Sequence, residues 1–240
     1  SSDIRAIGYE KLLIATGAEP VRPPIKGLEA PGVFFLRWMA DSFAIQRFIS
    51  KNPPRRALII GGGYIGLEMA DALTRRQIAV TLIEFAPEIL TSLDPGLGAL
   101  IRNELASWGV RVITGKAVRR ILREENQLRV HTDAGETGAV DMVIVAAGAR
   151  PSTDLARTAG IPTGAGNAIS ADRAMATGPA DIWAAGDCVQ TWHRILERNV
   201  YLPLGTTAHK QGRVAGENMA GRKCRFQGSL GTQAVQIFDQ

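Results

Sequence analysis

The sequence predicts an α/β protein in which parallel strands alternate with helices and the chain passes between two such folds. Three observations predict this. Short apolar runs recur and stop at glycine: Lys11-Leu12-Leu13-Ile14-Ala15-Thr16-Gly17, Ala57-Leu58-Ile59-Ile60-Gly61, Val140 to Gly148, and Ile182-Trp183-Ala184-Ala185-Gly186. Runs of this kind suit strands buried on both faces of a parallel sheet. Stretches of helical spacing lie between them. Finally, Gly61-Gly62-Gly63-Tyr64-Ile65-Gly66 sits between one such strand and one such helix, and Glu84 closes the next strand.

In chain order, the first strand turns at Gly17, and the Pro-rich stretch from Pro20 to Pro31 reads as an extended connection. Val33-Phe34-Phe35-Leu36 reads as a strand. Asp41 to Lys51 carries Phe43, Ile45, Phe48 and Ile49 near a helical period, and Pro53-Pro54 stops it. After the strand at Ala57, Leu67 to Leu73 takes up helical spacing, and Val80-Thr81-Leu82-Ile83 ends in Glu84. Asp94-Pro95 starts a helix whose expected apolar face is Leu97, Leu100, Ile101, Leu105 and Trp108, with Gly109 ending it. Val110 to Ile113 returns to the parallel sheet. Ala117 to Glu124 and Leu128 to Thr132 alternate like antiparallel strands, with turns at Gly135 and Gly138. Asp154 to Gly160 is a short helix. Thr206 or Thr207 is expected to cap a helix running to about Gly221, with Lys223 and Arg225 past its negative end.

The glycines have separable tasks in holding a dinucleotide. Gly61 makes the tight turn, Gly63 lets a pyrophosphate approach the backbone, and Gly66 lets helix and strand pack closely. The free N–H groups at the helix start face the phosphates. Glu84, roughly 20 residues on, stands where a carboxylate accepts from an adenosine ribose. It also selects the coenzyme. A carboxylate about 4 Å from a 2′-phosphate is opposed by roughly 4 kcal/mol per unit charge at an effective dielectric near 20. No arginine or lysine lies between Glu84 and Arg102 to compensate, so NADH is favoured over NADPH.

The 240 residues suffice for one large or two modest domains, and no apolar run is long enough to span a membrane. The net charge is +5, but the basic residues are scattered and not interleaved with aromatics, which argues against a nucleic-acid surface. Cys188 and Cys224 lie far apart with no metal-ligand spacing, and a reducing cytoplasm is the simplest setting. Ser1-Ser2-Asp3 leads straight into what reads as mid-domain sequence. Ala234-Val235-Gln236-Ile237-Phe238 reads as a strand broken off after it starts. The chain is therefore expected to be an internal piece of a longer protein.

The ordered set Ala15-Thr16-Gly17, Gly61 to Glu84, Ala147-Gly148-Ala149-Arg150-Pro151 and Ala185-Gly186-Asp187 closely resembles the pyridine nucleotide–disulfide oxidoreductases, FAD enzymes with two dinucleotide-binding domains. Leu204 to Arg213, followed by Gly228 to Thr232, resembles the single-cysteine branch of coenzyme A-disulfide reductases, NADH oxidases and peroxidases, and persulfide reductases. The resemblance implies two Rossmann-like, three-layer (ββα) domains, the NAD domain inserted in a partial FAD domain. Expected bounds are 1–35 and 152–226 for FAD, 36–151 for NAD, and 227–240 for the start of a dimerisation domain. It implies that Gly61, Gly63, Tyr64, Ile65, Gly66, Glu68, Glu84 and Gly148 hold NADH. Tyr64 would lie over the flavin until nicotinamide displaces it. Ala15, Thr16 and Gly17 would form the FAD-domain crossover, and Asp187, after Gly186, would bind the ribityl chain. Thr207 and Ala208 would open a helix aimed at the flavin's pyrimidine edge, contributing about half a positive charge there. His209 would lie on the substrate side, with the alternative of a histidine merely near a helix end equally open. His131, His193 and Cys188 are expected to be structural or solvated.

The sequence also departs from the family. The first Gly-x-Gly-x-x-Gly, the redox cysteine and most of the dimerisation domain are absent from it, so no catalytic residue is assigned. The implied whole enzyme is a cytoplasmic homodimer passing hydride from NADH through FAD to a thiol, disulfide or peroxide acceptor, without nucleic acid, membrane or metal. Alternatives are an NADH oxidase, peroxidase or electron-transfer reductase on the same fold, or a truncated, inactive NADH-binding module.

Overall fold

The computed structural model describes residues 7–239, so the expectation at Ser1 to Asp3 lies outside the described residues. The chain divides into two compact units. It starts in unit 1 with β1 (Leu12–Ile14) and β2 (Ala18–Pro20), then crosses into unit 2 from Pro20 to Gly148. That unit contains β3 (Val33–Phe35), α1 (Met39–Lys51), β4 (Arg56–Ile60), α2 (Tyr64–Thr74), β5 (Ala79–Ile83), α3 (Pro95–Ser107) and β6 (Arg111–Ile113). β7 (Val118–Glu124), β8 (Gln127–Thr132), β9 (Gly135–Val140) and β10 (Met142–Val145) complete it. The chain returns to unit 1 with β11 (Ala149–Pro151), α4 (Asp154–Thr158), β12 (Ile182–Ala184), β13 (Thr191–His193), β14 (Arg198–Val200) and α5 (Gly205–Met219).

Unit 2 is a three-layer ββα sandwich. Its parallel sheet has the order β3-β10-β4-β5-β6, and strand period 2 divides each strand between two cores. Ala57, Ile59, Val80, Leu82, Met142 and Ile144 face one side, packing with Ile45 of α1, Leu67, Ala70 and Leu73 of α2, and Leu105 of α3. Leu58, Ile60, Ile83, Val143 and Val145 face the other, against Val118, Ile121, Leu128, Val130 and Val140 of the antiparallel sheet β7-β8-β9. Burial on both faces explains why these strands read as unbroken apolar runs. Leu67 and Leu73, at most 1 % exposed, each contribute about 2 kcal/mol by leaving water.

In unit 1, β1 pairs in parallel with β12, β2 is hydrogen-bonded beside β11, and β13–β14 forms an antiparallel hairpin. Ile14, Ala156, Ile169, Ala184, Cys188 and Val189 form one small core, and Met175, Ala185, Ala215 and Phe226 another. Among the described residues, no helix is long and apolar enough to cross a membrane.

Several expectations are corrected. α1 starts at Met39, and Asp41 sits in its first turn, its Oδ2 accepting from Trp38 N (2.7 Å) and Arg37 N (2.9 Å). On α3, Leu105 is buried and Ile101 half-buried, whereas Leu97 and Leu100 are 50 % and 65 % exposed. Gly98 presses against Glu88 and Ile89 and turns the helix so that Leu97 and Leu100 face outward. Gly135 and Gly138 do not flank a simple turn. They belong to β9, whose pairing with β8 shifts register between Arg129 and His131, and their positive φ values permit that irregularity. By their contacts residues 20–35 group with unit 2, where Val33–Phe35 is the edge strand beside β10. Ala234 to Phe238 forms no strand. Ile237 and Phe238 instead bury in the helix-side core of unit 2, and Phe238 N donates to Asp71 Oδ2 (3.1 Å).

Candidate functional site

In unit 2, β4 and β5 deliver Gly61 and Glu84 to the carboxyl edge of the parallel sheet, where open α/β sheets bind ligands. Gly61 has φ +111°, and an added Cβ would lie 2.4 Å from Ala146 O, so side chain and backbone angle both exclude other residues. An added Cβ at Gly66 would fall 2.0 Å from Gly61 O, which is the close helix–strand contact expected there. Gly63 differs. It is the N-cap of α2 with φ −81°, and nothing in the protein lies within 4 Å of where its Cβ would stand. The first bond inside the helix is Leu67 N to Gly63 O (3.0 Å), leaving the N–H groups of Tyr64, Ile65 and Gly66 unused by it. Open space faced by such donors is what a diphosphate requires.

Glu84 is half-buried and points at this turn. Its Oε2 accepts from Gly62 N (2.6 Å) and its Oε1 from Ala86 N (2.7 Å). Each carboxylate oxygen has a second lone pair, so ribose hydroxyls can still be accepted. Gly62 was missed from the sequence. Its signal was its packing between Ile89 and Glu84, where a Cβ would meet Ile89 Cγ2 at 2.6 Å. Gly148 (φ +98°) follows β10, and Val145 pairs with Ile60, so the loops leaving β4 and β10 share one edge. Tyr64 opens α2, half-buried, its hydroxyl 3.5 Å from Ser92 Oγ. Ile65 and Glu68 are exposed on the same helix.

In unit 1, the segment after β1 holds Ala15, Thr16 and Gly17. Thr16 Oγ1 donates to Ser152 O (2.5 Å) and Ser152 N to Gly17 O (2.9 Å), which fastens this crossover. Gly186 (φ +92°) and the half-buried Asp187 follow β12. α5 starts at Gly205 with Leu204 as N-cap and no side-chain cap, correcting the expected threonine cap. Thr207 lies in the first turn, 3 % exposed, its hydroxyl 3.3 Å from Ser229 Oγ, so it is tied sideways and cannot reach back as a cap. Ala208 is half-buried and packs beside Gly186 (3.8 Å to its would-be Cβ). His209 is exposed on the next position of α5. Gln211, not singled out from sequence, is fully buried and its Oε1 accepts from Gly186 N (2.9 Å). Its signal was a polar residue on the inward face of an amphipathic helix.

Neither cysteine has the surroundings of an activated thiolate. Cys188 is fully buried, its Sγ donating to Ala185 O (3.4 Å) and Ile14 O (3.7 Å). Cys224 Sγ donates to Glu217 Oε2 (2.7 Å), and this bond pushes the thiol up while holding Glu217 below the usual carboxylate range. His193 lies in β13, and its Nδ1 accepts from Ile195 N and Leu196 N (both 3.3 Å). His131 lies in β8 with Nε2 buried.

The comparisons agree on one family. A family model described as pyridine nucleotide-disulphide oxidoreductase matches residues 1–212. An NADH oxidase of Methanocaldococcus jannaschii is 38 % identical over 97 % of this chain and 52 % of its own length. A CoA-dependent NAD(P)H sulfur oxidoreductase of Pyrococcus abyssi is 38 % identical over 96 % of this chain and 52 % of its own. Among solved structures, an NAD-dependent persulfide reductase from A. fulgidus superposes with a TM-score of 0.92 at 37 % identity, covering 97 % of this chain and 43 % of that one. The chain thus spans about half the length of the curated relatives it matches.

Proposed function

The chain belongs to the pyridine nucleotide-disulphide oxidoreductase family, and from that premise we propose that it is the coenzyme-binding part of a flavoprotein that passes hydride from NADH to FAD and on to a thiol-derived acceptor. The observation that carries the reading is the Gly61–Gly66 turn: open at Gly63, lined by free helix-start donors, and braced by the Glu84 carboxylate. Unit 2 would take NADH. Tyr64, Ile65 and Gly66 N–H groups hold the pyrophosphate, Glu84 the adenosine ribose, and Gly148 lines the same edge. Tyr64 and Glu68, one turn apart on α2, sit on the nicotinamide side.

Unit 1 would take FAD, with Asp187 on the ribityl chain, Ala15, Thr16 and Gly17 at the crossover, and Gly186, Thr207 and Ala208 beside the ring system. When bound, FAD would supply the two-electron relay between nicotinamide and acceptor. The start of α5 presents N–H groups and a partial positive charge, which favours negative charge on whatever it faces. His209, exposed in the following turn, is the residue of this chain assigned to the acceptor side. A homodimeric, cytoplasmic enzyme acting on a disulfide, persulfide or CoA-linked sulfur compound fits best, in line with the names of the Pyrococcus and A. fulgidus relatives. The second reading, an NADH oxidase, has the M. jannaschii relative in its favour.

Isothermal titration with NADH, NADPH and FAD tests the proposal. NADH is expected to bind more tightly than NADPH, and Glu84→Ala to weaken NADH at least tenfold, since the ribose loses its acceptor and the turn loses the bonds from Gly62 N and Ala86 N, and to narrow the ratio, since the charge that opposes a 2′-phosphate is gone. An unchanged ratio in the variant would remove Glu84 from the ribose. NADH binding with no affinity for FAD would reduce the chain to a nucleotide-binding module.

A further inference from the structure

We propose that Gln211 is a positioning residue for Asp187, acting through the Gly186 peptide; the inference rests on the assignment of unit 1 to FAD. Gln211 lies in the second turn of α5 with 0 % of its surface exposed. Its Oε1 accepts from Gly186 N (2.9 Å), and its Nε2 donates to Thr191 Oγ1 (3.1 Å) and Gln190 O (3.5 Å). A buried amide must find partners for both its ends. Here both ends find them on the short segment from 186 to 191, one before Asp187 and the others after it. Helix α5 therefore grips the acid's loop from both sides.

Gly186 explains why a grip is needed. It has φ +92°, a conformation glycine enters as readily as the opposite sign, so the residue does not choose its own backbone direction. The direction in which Asp187 projects follows from the peptide that Gln211 holds. Downstream, Val189 N donates to Gly186 O (2.9 Å) and the Cys188 thiol is buried on Ala185 O, so the turn is fixed on its other side as well. Because Gln211 and the start of α5 belong to one helix, the bond to Gly186 N joins the acid and the helix start into a single rigid piece. Ala208, in the first turn of that helix, packs 3.8 Å from the would-be Cβ of Gly186 and closes the same contact.

The test is a double-mutant cycle on the FAD dissociation constant of the purified protein, combining Gln211→Met and Asp187→Asn. Gln211→Met keeps the length and removes the acceptor, and it is expected to weaken FAD binding about tenfold or more, the cost of orphaning the part-buried Gly186 N–H that sets the acid's direction. In the Asp187→Asn background the same change should cost less than about threefold, because the group it aims has already been disabled. Equal losses in both backgrounds would make Gln211 a general structural residue and overturn the inference, as would undiminished FAD affinity in Gln211→Met alone. NADH affinity, read on the same samples, should be unchanged. Should Gln211→Met fail to fold, Gln211→Asn, which keeps the amide but withdraws it by one methylene, carries the same cycle. No FAD binding by the unmutated protein would overturn the assignment of unit 1 and this inference with it, whereas binding lost only on Asp187→Asn would leave that assignment standing and sink the inference.

Discussion

Gly63 and Gly66 are three residues apart, yet a methyl group added at each meets different surroundings. At Gly63 it meets no protein atom within 4 Å and the backbone angles suit any residue; at Gly66 it collides with Gly61 O at 2.0 Å. Gly63→Val is therefore expected to leave the melting temperature within about 2 °C of the parent while abolishing measurable NADH binding, because no protein atom stands in the space it enters and the proposed diphosphate would. Gly66→Ala should instead destabilise unit 2 by about 1–3 kcal/mol, the usual cost of overpacking, seen as a lowered denaturant midpoint. Swapped outcomes, stability lost at 63 and binding lost cleanly at 66, would place the diphosphate elsewhere. Both glycines were legible in the sequence because their spacing is set by the turn itself. Gly62 and Gln211 were not, since what defines them is the atom they bond, Glu84 Oε2 in one case and Gly186 N in the other.

Among the elements, β10 is held at its amino end by one carboxylate. Asp141 Oδ2 accepts from Arg55 N (2.8 Å) and Arg56 N (2.9 Å), at the entry to β4, and Oδ1 from Gln127 Nε2 (3.2 Å) at the start of β8. Burial pushes this carboxyl up, but the three hydrogen bonds together outweigh it, and the result lies below the ordinary value of 3.8. A carboxyl depressed in the folded state stabilises it above the unfolded value and loses that contribution as pH falls through the folded one. The stability gap between the parent and Asp141→Asn, measured by urea titration, should thus be full at pH 6 and close at pH values below 3.8. A gap that persists unchanged to pH 2 would show that the charge is not what matters. The strands around Asp141 were readable from their apolar runs. β9 was not, because Gly135-Glu136-Thr137-Gly138 has turn composition and becomes a strand only through its pairing with β8.

Across the whole molecule the chain visits unit 1, builds all of β3 to β10 in unit 2, returns to unit 1, and comes back to unit 2 at Ala234. The last visit matters to stability. Phe238 is fully buried, stacks on Trp108 with ring centroids 4.7 Å apart and planes 3° from parallel, and lies under the Arg75 guanidinium. Phe238→Ala is expected to cost unit 2 about 3 kcal/mol, with an accompanying change in Trp108 fluorescence; an unaltered unfolding midpoint would show that the segment does not contribute. By itself the sequence determined the α/β class, the double crossing, the glycine turn and the acid that closes the second strand, because these depend on local periodicity and on residues fixed by a single turn. Only the tertiary structure decided which unit residues 20–35 and 234–239 join, which face of α3 is buried, and which amide braces the Gly186 turn. Those outcomes depend on packing and hydrogen bonds between segments far apart in the chain, and no local pattern of residue types encodes a partner that distant.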